Sequence, residues 1–167
     1  FNPFYIIVFA VPVANFWMWW KHRGKEASSL FKMANGVIIM GLGFVFMVFA
    51  SMQYETLGKS ALYWLALAYL FHTIGELCAS PVALSFITKL APIRYGALMM
   101  GVYFAATGLG NKVAGLIGES ASEAGELNIF AGITIFCVAF GLLVIAILKP
   151  LKRLTHGAEE DERAITD

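Results

Sequence analysis

Glu76 stands where an ionisable group is costly. It lies inside the apolar run 61–87, which is long enough to cross a bilayer, with His72 four residues before it and Ser80 four after. A carboxylate at the centre of a spanning helix costs about 2.5–3.5 kcal/mol on insertion scales, so it needs a cavity or a partner to face. Residues four apart stack one turn above another, which predicts His72, Glu76 and Ser80 on one face. Such a carboxyl group can bind a cationic part of a substrate, exchange a proton, or do both, since burial and a nearby cation act on it in opposite senses. The structural alternative is a group that is protonated, or paired only to hold a bundle together. His72 is open in the same way, between proton coupling with Glu76 and an ordinary hydrogen-bonded interior role.

Lys112 is the other charge inside an apolar run. Its stem can snorkel to the interface, or its ammonium can form a gating ion pair with Glu76 or Glu119. Asn111, Tyr103, Asn2 and Tyr5 are further polar candidates, for which interhelical hydrogen bonding is the commoner reading. Nothing points to an enzyme. There is no HExxH, no G-x-S-x-G and no phosphate-binding Gly loop ending in Lys-Ser/Thr. Ser80 and His72 lie roughly 12 Å apart by helical rise, too far for a Ser–His hydrogen bond. Cys78 and Cys137 lack the C-x-x-C spacing of a metal site and read as packing residues, and no resident metal or cofactor is expected.

The elements that must position these groups are membrane helices. Apolar residues make up 59% of the chain and charged residues 14%, against roughly 45–50% and about 25% in soluble domains. Five runs approach the ~20 residues needed to span: 4–20, 33–52, 61–87, 97–118 and 128–148. None alternates as a strand would, so the expected fold class is an all-α membrane protein with five transmembrane helices. The loops after the first, third and fifth runs, with the flanking ends, hold Lys21, Arg23, Lys25, Lys32, Lys89, Arg94, Lys149, Lys152 and Arg153; the other two loops hold only Lys59. That asymmetry predicts a cytoplasmic C-terminus. Trp17, Trp19 and Trp20 beside the inner loop, and Tyr54, Tyr63 and Trp64 beside the outer one, fit interfacial belts.

Smaller features refine the bundle. Ala106, Gly110, Ala114 and Gly118 recur every four residues in the fourth run, predicting a small-residue ridge where two backbones meet; Gly36, Gly41 and Gly43 give a looser version in the second. Pro12 and Pro81 each remove a helix hydrogen bond and predict local kinks, the second beside the polar stripe. The chain opens on Phe1-Asn2-Pro3, without Met and directly at an apolar run, which reads as part of a larger chain. Residues 1–154 are expected to form the bundle, and 155–167 a charged, solvated tail.

The segment His72-Thr73-Ile74-Gly75-Glu76-Leu77-Cys78-Ala79-Ser80-Pro81-Val82, running on to Thr88-Lys89-Leu90-Ala91-Pro92, resembles the tenth helix of proton-dependent oligopeptide transporters. Phe1-Asn2-Pro3-Phe4 is similar to that family's eighth-helix start, and Met100-Gly101-Val102-Tyr103-Phe104 with Gly110-Asn111 to its eleventh helix. The resemblance covers all five runs. It implies helices eight to twelve of a twelve-helix major facilitator, the C-terminal half without its first helix. It further implies symport of di- and tripeptides with protons across the cell's inner membrane, with protons as coupling ion and an N-terminal half as partner. By the same resemblance, Glu76 would take the peptide's amino terminus, with Ser80 and Asn2 in the same pocket. Tyr103 stands where the family usually has Trp, making one pocket wall smaller and more polar. Two alternatives stay open. One is a facilitator of the same fold moving another solute, such as nitrate, an amino-acid conjugate or a drug. The other is a membrane-anchor subunit without transport.

Overall fold

The computed structural model describes residues 1–23 and 27–154, with the backbone alone at 93, 120–124 and 152–154. The expected tail 155–167 and Lys25 lie outside the described residues. Among the described residues six α-helices follow one another: α1 (Asn2–His22), α2 (Ser29–Leu57), α3 (Leu62–Leu90), α4 (Gly96–Ala124), α5 (Glu126–Ala146) and the short α6 (Leu148–Leu154). A single 3-10 turn, Ile93–Tyr95, joins α3 to α4. All three 29-residue helices overrun the apolar runs that predict them. At 1.5 Å per residue such a helix is roughly 43 Å long, more than a hydrocarbon core of about 30 Å.

Local chemistry sets the boundaries. Pro3 sits in the first turn of α1, where its missing N–H is no loss, and Lys21 and His22 sit in the last turn, where cations favour the helix dipole. Ser28 caps α2 by accepting from the Phe31 N–H at 3.3 Å. Gly58 ends α2 in the left-handed region at φ 63°, its N–H on the Tyr54 carbonyl at 2.8 Å. Gln53 ties this turn to α3: its Oε1 accepts from the Ala61 N–H at 3.0 Å and from Trp64 Nε1 at 2.9 Å. Helix α3 ends just before Pro92, as expected of a residue that Pro pushes out of the helical region. Pro12 and Pro81 lie inside α1 and α3, and neither ends its helix.

Helix α2 is the hub, packed most extensively against α3 and α5; α1 lies on α3, and α4 touches α3 and α5 lightly. Glycines explain the hub. A Cβ on Gly36 would stand 2.6 Å from the Gly75 carbonyl oxygen, and one on Gly75 would stand 2.6 Å from that of Gly36, so α2 and α3 meet backbone to backbone. On the other side of α2, a Cβ on Gly41 would lie 2.7 Å from the Cys137 Cβ on α5. This corrects the expectation from the sequence. The α4 ridge is open, with nothing within 4 Å of a Cβ at Gly110 or Gly118, and the close approach falls on the less regular α2 series. Regular spacing of small residues creates a smooth face; whether a neighbour occupies it depends on the rest of the bundle.

Among the described residues, four helices are long and apolar enough to cross a membrane: α1, α2, α3 and α5. The fifth expected span folds as α4 but is not among them. Asn111 and Lys112 interrupt its apolar run, and the helix continues into Glu119 and beyond.

Candidate functional site

Helices α1, α3 and α4 enclose a cavity of about 360 Å³, whose lining includes Glu76, Ser80 and Pro81 from α3, Ile6 from α1, and Tyr103 and Phe104 from α4. Three of the residues singled out in the sequence, Glu76, Ser80 and Tyr103, therefore share one space. Asn2 joins them through Glu76, its Nδ2 donating to Oε2 at 3.4 Å. Glu76 and Tyr103 are half-buried, and Ser80 is exposed. A single anionic group thus stands in a cavity otherwise walled by Ile6, Leu77, Leu84 and Phe104, the hydroxyls of Ser80 and Tyr103 being the other polar features.

The carboxylate has capacity to spare. Asn2 is its one hydrogen-bond partner among the described residues, whereas an ionised carboxyl group has about four acceptor sites. A primary ammonium entering the cavity can take the unused sites by charge-assisted bonds, roughly twice as strong as neutral ones. The surrounding apolar wall lowers the local dielectric and strengthens that attraction.

Sequence reasoning missed Thr73. Its side chain is fully buried at 0% exposure, and Oγ1 lies 2.6 Å from Asn2 Oδ1 and 2.7 Å from the Tyr69 carbonyl. The available signal was a hydroxyl one turn before Glu76 on an otherwise apolar face.

His72 does not share the cavity. Its ring centroid is 4.5 Å from that of Phe44, and its Cδ2 would lie 2.5 Å from a Cβ on Gly43, so the imidazole is seated against α2. The expected single face for His72, Glu76 and Ser80 is corrected by helix geometry. At 3.6 residues per turn a step of four overshoots a full circle by about 40°, so two steps carry Ser80 about 80° from His72. That turn is enough to move from the α2 interface to the cavity between α1 and α4. The Nε2 atom of His72 is buried without a hydrogen-bond partner among the described residues.

Lys112 and Asn111 are exposed on α4, and neither is in the lining of the cavity that holds Glu76. Tyr5 stacks on Phe1, with ring centroids 6.2 Å apart at 18°. A second cavity, of about 350 Å³, lies between α1, α2 and α3 around Trp17, Asn35 and Cys78; it contains no acidic group. No group of His, Cys, Asp and Glu among the described residues is arranged to hold a metal ion.

The chain resembles known proteins along most of its length. The chain is 36% identical over 163 residues to the Bacillus subtilis (strain 168) transporter YclF, itself uncharacterized, covering 93% of this chain and 31% of that protein. It is 33% identical over 171 residues to the peptide transporter YePEPT of Yersinia enterocolitica subsp. palearctica, covering 98% of this chain and 33% of the relative. A crystal structure of a peptide transporter POT in complex with sulfate superposes with a TM-score of 0.78 at 30% identity, over 92% of this chain and 30% of that one. The structure of a POT family transporter in complex with 5-aminolevulinic acid superposes with a TM-score of 0.76 at 26% identity, over 87% and 29%. The chain spans about a third of the length of these relatives. Residues 1–148 match the profile described as PTR2, POT family, so the chain belongs to the POT family of membrane transporters.

Proposed function

We propose that this chain supplies the anionic side of a substrate site in a proton-coupled symporter of di- and tripeptides. In this reading its helices α1 to α5 correspond to helices eight to twelve of a twelve-helix major facilitator, all five spanning an inner membrane with the C-terminus cytoplasmic. Glu76 takes the peptide's amino terminus, Asn2 and Ser80 complete the polar side of the pocket, and Tyr103 with Phe104 bounds the side-chain space. The partner is an N-terminal half that brings a cation for the peptide carboxylate, since a zwitterion held across a central cavity needs both charges. Transporter sites of this kind lie near the bilayer midplane between two halves that rock against each other.

The observation that carries the reading is the meeting of Glu76, Asn2, Ser80 and Tyr103 around one cavity with a lone carboxylate. Binding and proton exchange compete for the same oxygens, so a proton arriving at Glu76 releases the amine. Replacing Glu76 by Gln keeps shape and hydrogen bonding but removes both charge and proton. Glu76→Gln in the full-length gene product is expected to abolish uptake driven by a proton gradient; uptake at the wild-type rate would remove Glu76 from the mechanism. A second reading, movement of a smaller amine-bearing solute, draws support from the 5-aminolevulinic acid bound in a relative. Competition separates the two: unlabelled dipeptide displaces the labelled solute if peptides are the substrate.

A further inference from the structure

We infer that Thr73 is a positioning residue for Glu76, acting through the Asn2 side chain; this rests on the reading of Glu76 as the substrate-binding carboxylate. An Asn amide is two-ended and can present either NH2 or oxygen to a neighbour. Facing an ionised carboxylate, the oxygen end would set acceptor against acceptor. Thr73 biases the choice together with the carboxylate, through a hydroxyl proton it shares between Asn2 and the Tyr69 carbonyl. Its hydroxyl, 2.6 Å from Asn2 Oδ1, is the donor that holds that oxygen, and the amide then turns Nδ2 to Glu76 Oε2 at 3.4 Å. The hydroxyl is itself held in place, because its one proton is shared with the Tyr69 carbonyl 2.7 Å away, four residues earlier on the same helix.

The placement of the three residues adds to this. Thr73 and Glu76 are neighbours on α3, three positions apart, while Asn2 comes from α1. The amide bridges the two helices, and both of its ends are read by α3. Thr73 is fully buried, so no water replaces its proton if the hydroxyl is removed. Loss of that donor frees the amide to rotate and offers Glu76 a mixture of donor and acceptor, weakening the carboxylate's fixed orientation toward an incoming ammonium. Thr73 touches no substrate in this scheme.

The test is a double-mutant comparison in the full-length gene product reconstituted into liposomes, with labelled dialanine as probe. Thr73→Val keeps the branched shape and deletes the hydroxyl; Thr73→Ser keeps the hydroxyl. Thr73→Val is expected to raise KM about tenfold, the equivalent of one buried hydrogen bond, with kcat within about twofold. Thr73→Ser should restore KM to within about twofold of wild type. In an Asn2→Ala background Thr73→Val should add nothing, because the group it orients is gone. An unchanged KM in Thr73→Val, or an equal further loss without Asn2, overturns the inference. If the wild-type protein takes up no dialanine, the peptide reading fails on its own, and melting temperatures of the same four variants decide Thr73. The inference then requires Thr73→Val to lower the melting temperature when Asn2 is present and not when it is absent; equal lowering in both backgrounds refutes it.

Discussion

Asn2 approaches Glu76 at 3.4 Å, longer than the usual range of about 2.7–3.2 Å for an N–H···O bond, so the amide steers the carboxylate and leaves its other acceptor sites to an ammonium at about 2.7–2.9 Å. The side-chain wall opposite is a more selective element. Tyr103 and Phe104 stand together, with ring centroids 5.6 Å apart at 64°, and Tyr103 brings a hydroxyl from α4 to the cavity lining. Tyr103→Trp is expected to shrink the cavity and select against bulk: KM for dialanine stays within about twofold, while KM for an aromatic dipeptide rises about tenfold, one lost side-chain fit. Equal KM changes for both peptides would show that Tyr103 does not bound the side-chain space. At this scale Glu76, Ser80, Asn2 and Tyr103 stood out in the sequence as polar groups in apolar runs, and the fold brings them to one cavity; their roles there belong to the proposal. Thr73 did not stand out, since a threonine hydroxyl in a helix satisfies itself on the carbonyl four residues back and gives no sign of a second partner. His72 was misplaced because a spacing of four does not close a helical turn, and the residual rotation decided which neighbour it met.

Between helices, backbone approach governs how firmly the site is framed. Gly75 lies one residue before Glu76, and its close contact with Gly36 fixes the height and rotation of α3 against α2. A side chain at Gly75 would meet the Gly36 carbonyl at 2.6 Å and the Met40 backbone nitrogen at 2.9 Å, atoms that cannot swing away. Gly75→Val is therefore expected to destabilise the protein by about 1–3 kcal/mol through overpacking, read as a lower melting temperature and lost uptake. Gly110→Ala, on the open α4 ridge, should change stability by no more than about 0.5 kcal/mol. A larger loss at Gly110 than at Gly75 would mean that α4, not α2, makes the critical backbone contact. The existence and order of the long helices followed from apolar runs between charged loops. Which small-residue face was occupied did not, because spacing shows how a helix surface is shaped and not what lies on it. Gln53 was equally hidden: an amide near a helix end looks like surface until its oxygen is seen bridging Ala61 and Trp64.

Across the whole molecule, the charge distribution and the cavity address different requirements. The basic residues gather in alternate loops, the pattern from which the sequence predicts orientation, while the cavity holds one acid and no basic residue in its lining. A site with a carboxylate and no cation suits an amine, and a peptide further needs a cation from elsewhere. The chain spans about a third of its relatives' length, and the proposed reading assigns it one wall of a larger transport site. In the proposed mechanism a proton moving down its gradient exchanges with the bound amine at Glu76, which couples the two fluxes at one residue. The most direct measurement is uptake of labelled dialanine by the full-length gene product in liposomes, with and without an inward proton gradient. The account predicts uptake that requires the gradient and is competed by a tripeptide but not by free alanine. Accumulation independent of the gradient, or no dialanine uptake under either condition, would contradict it.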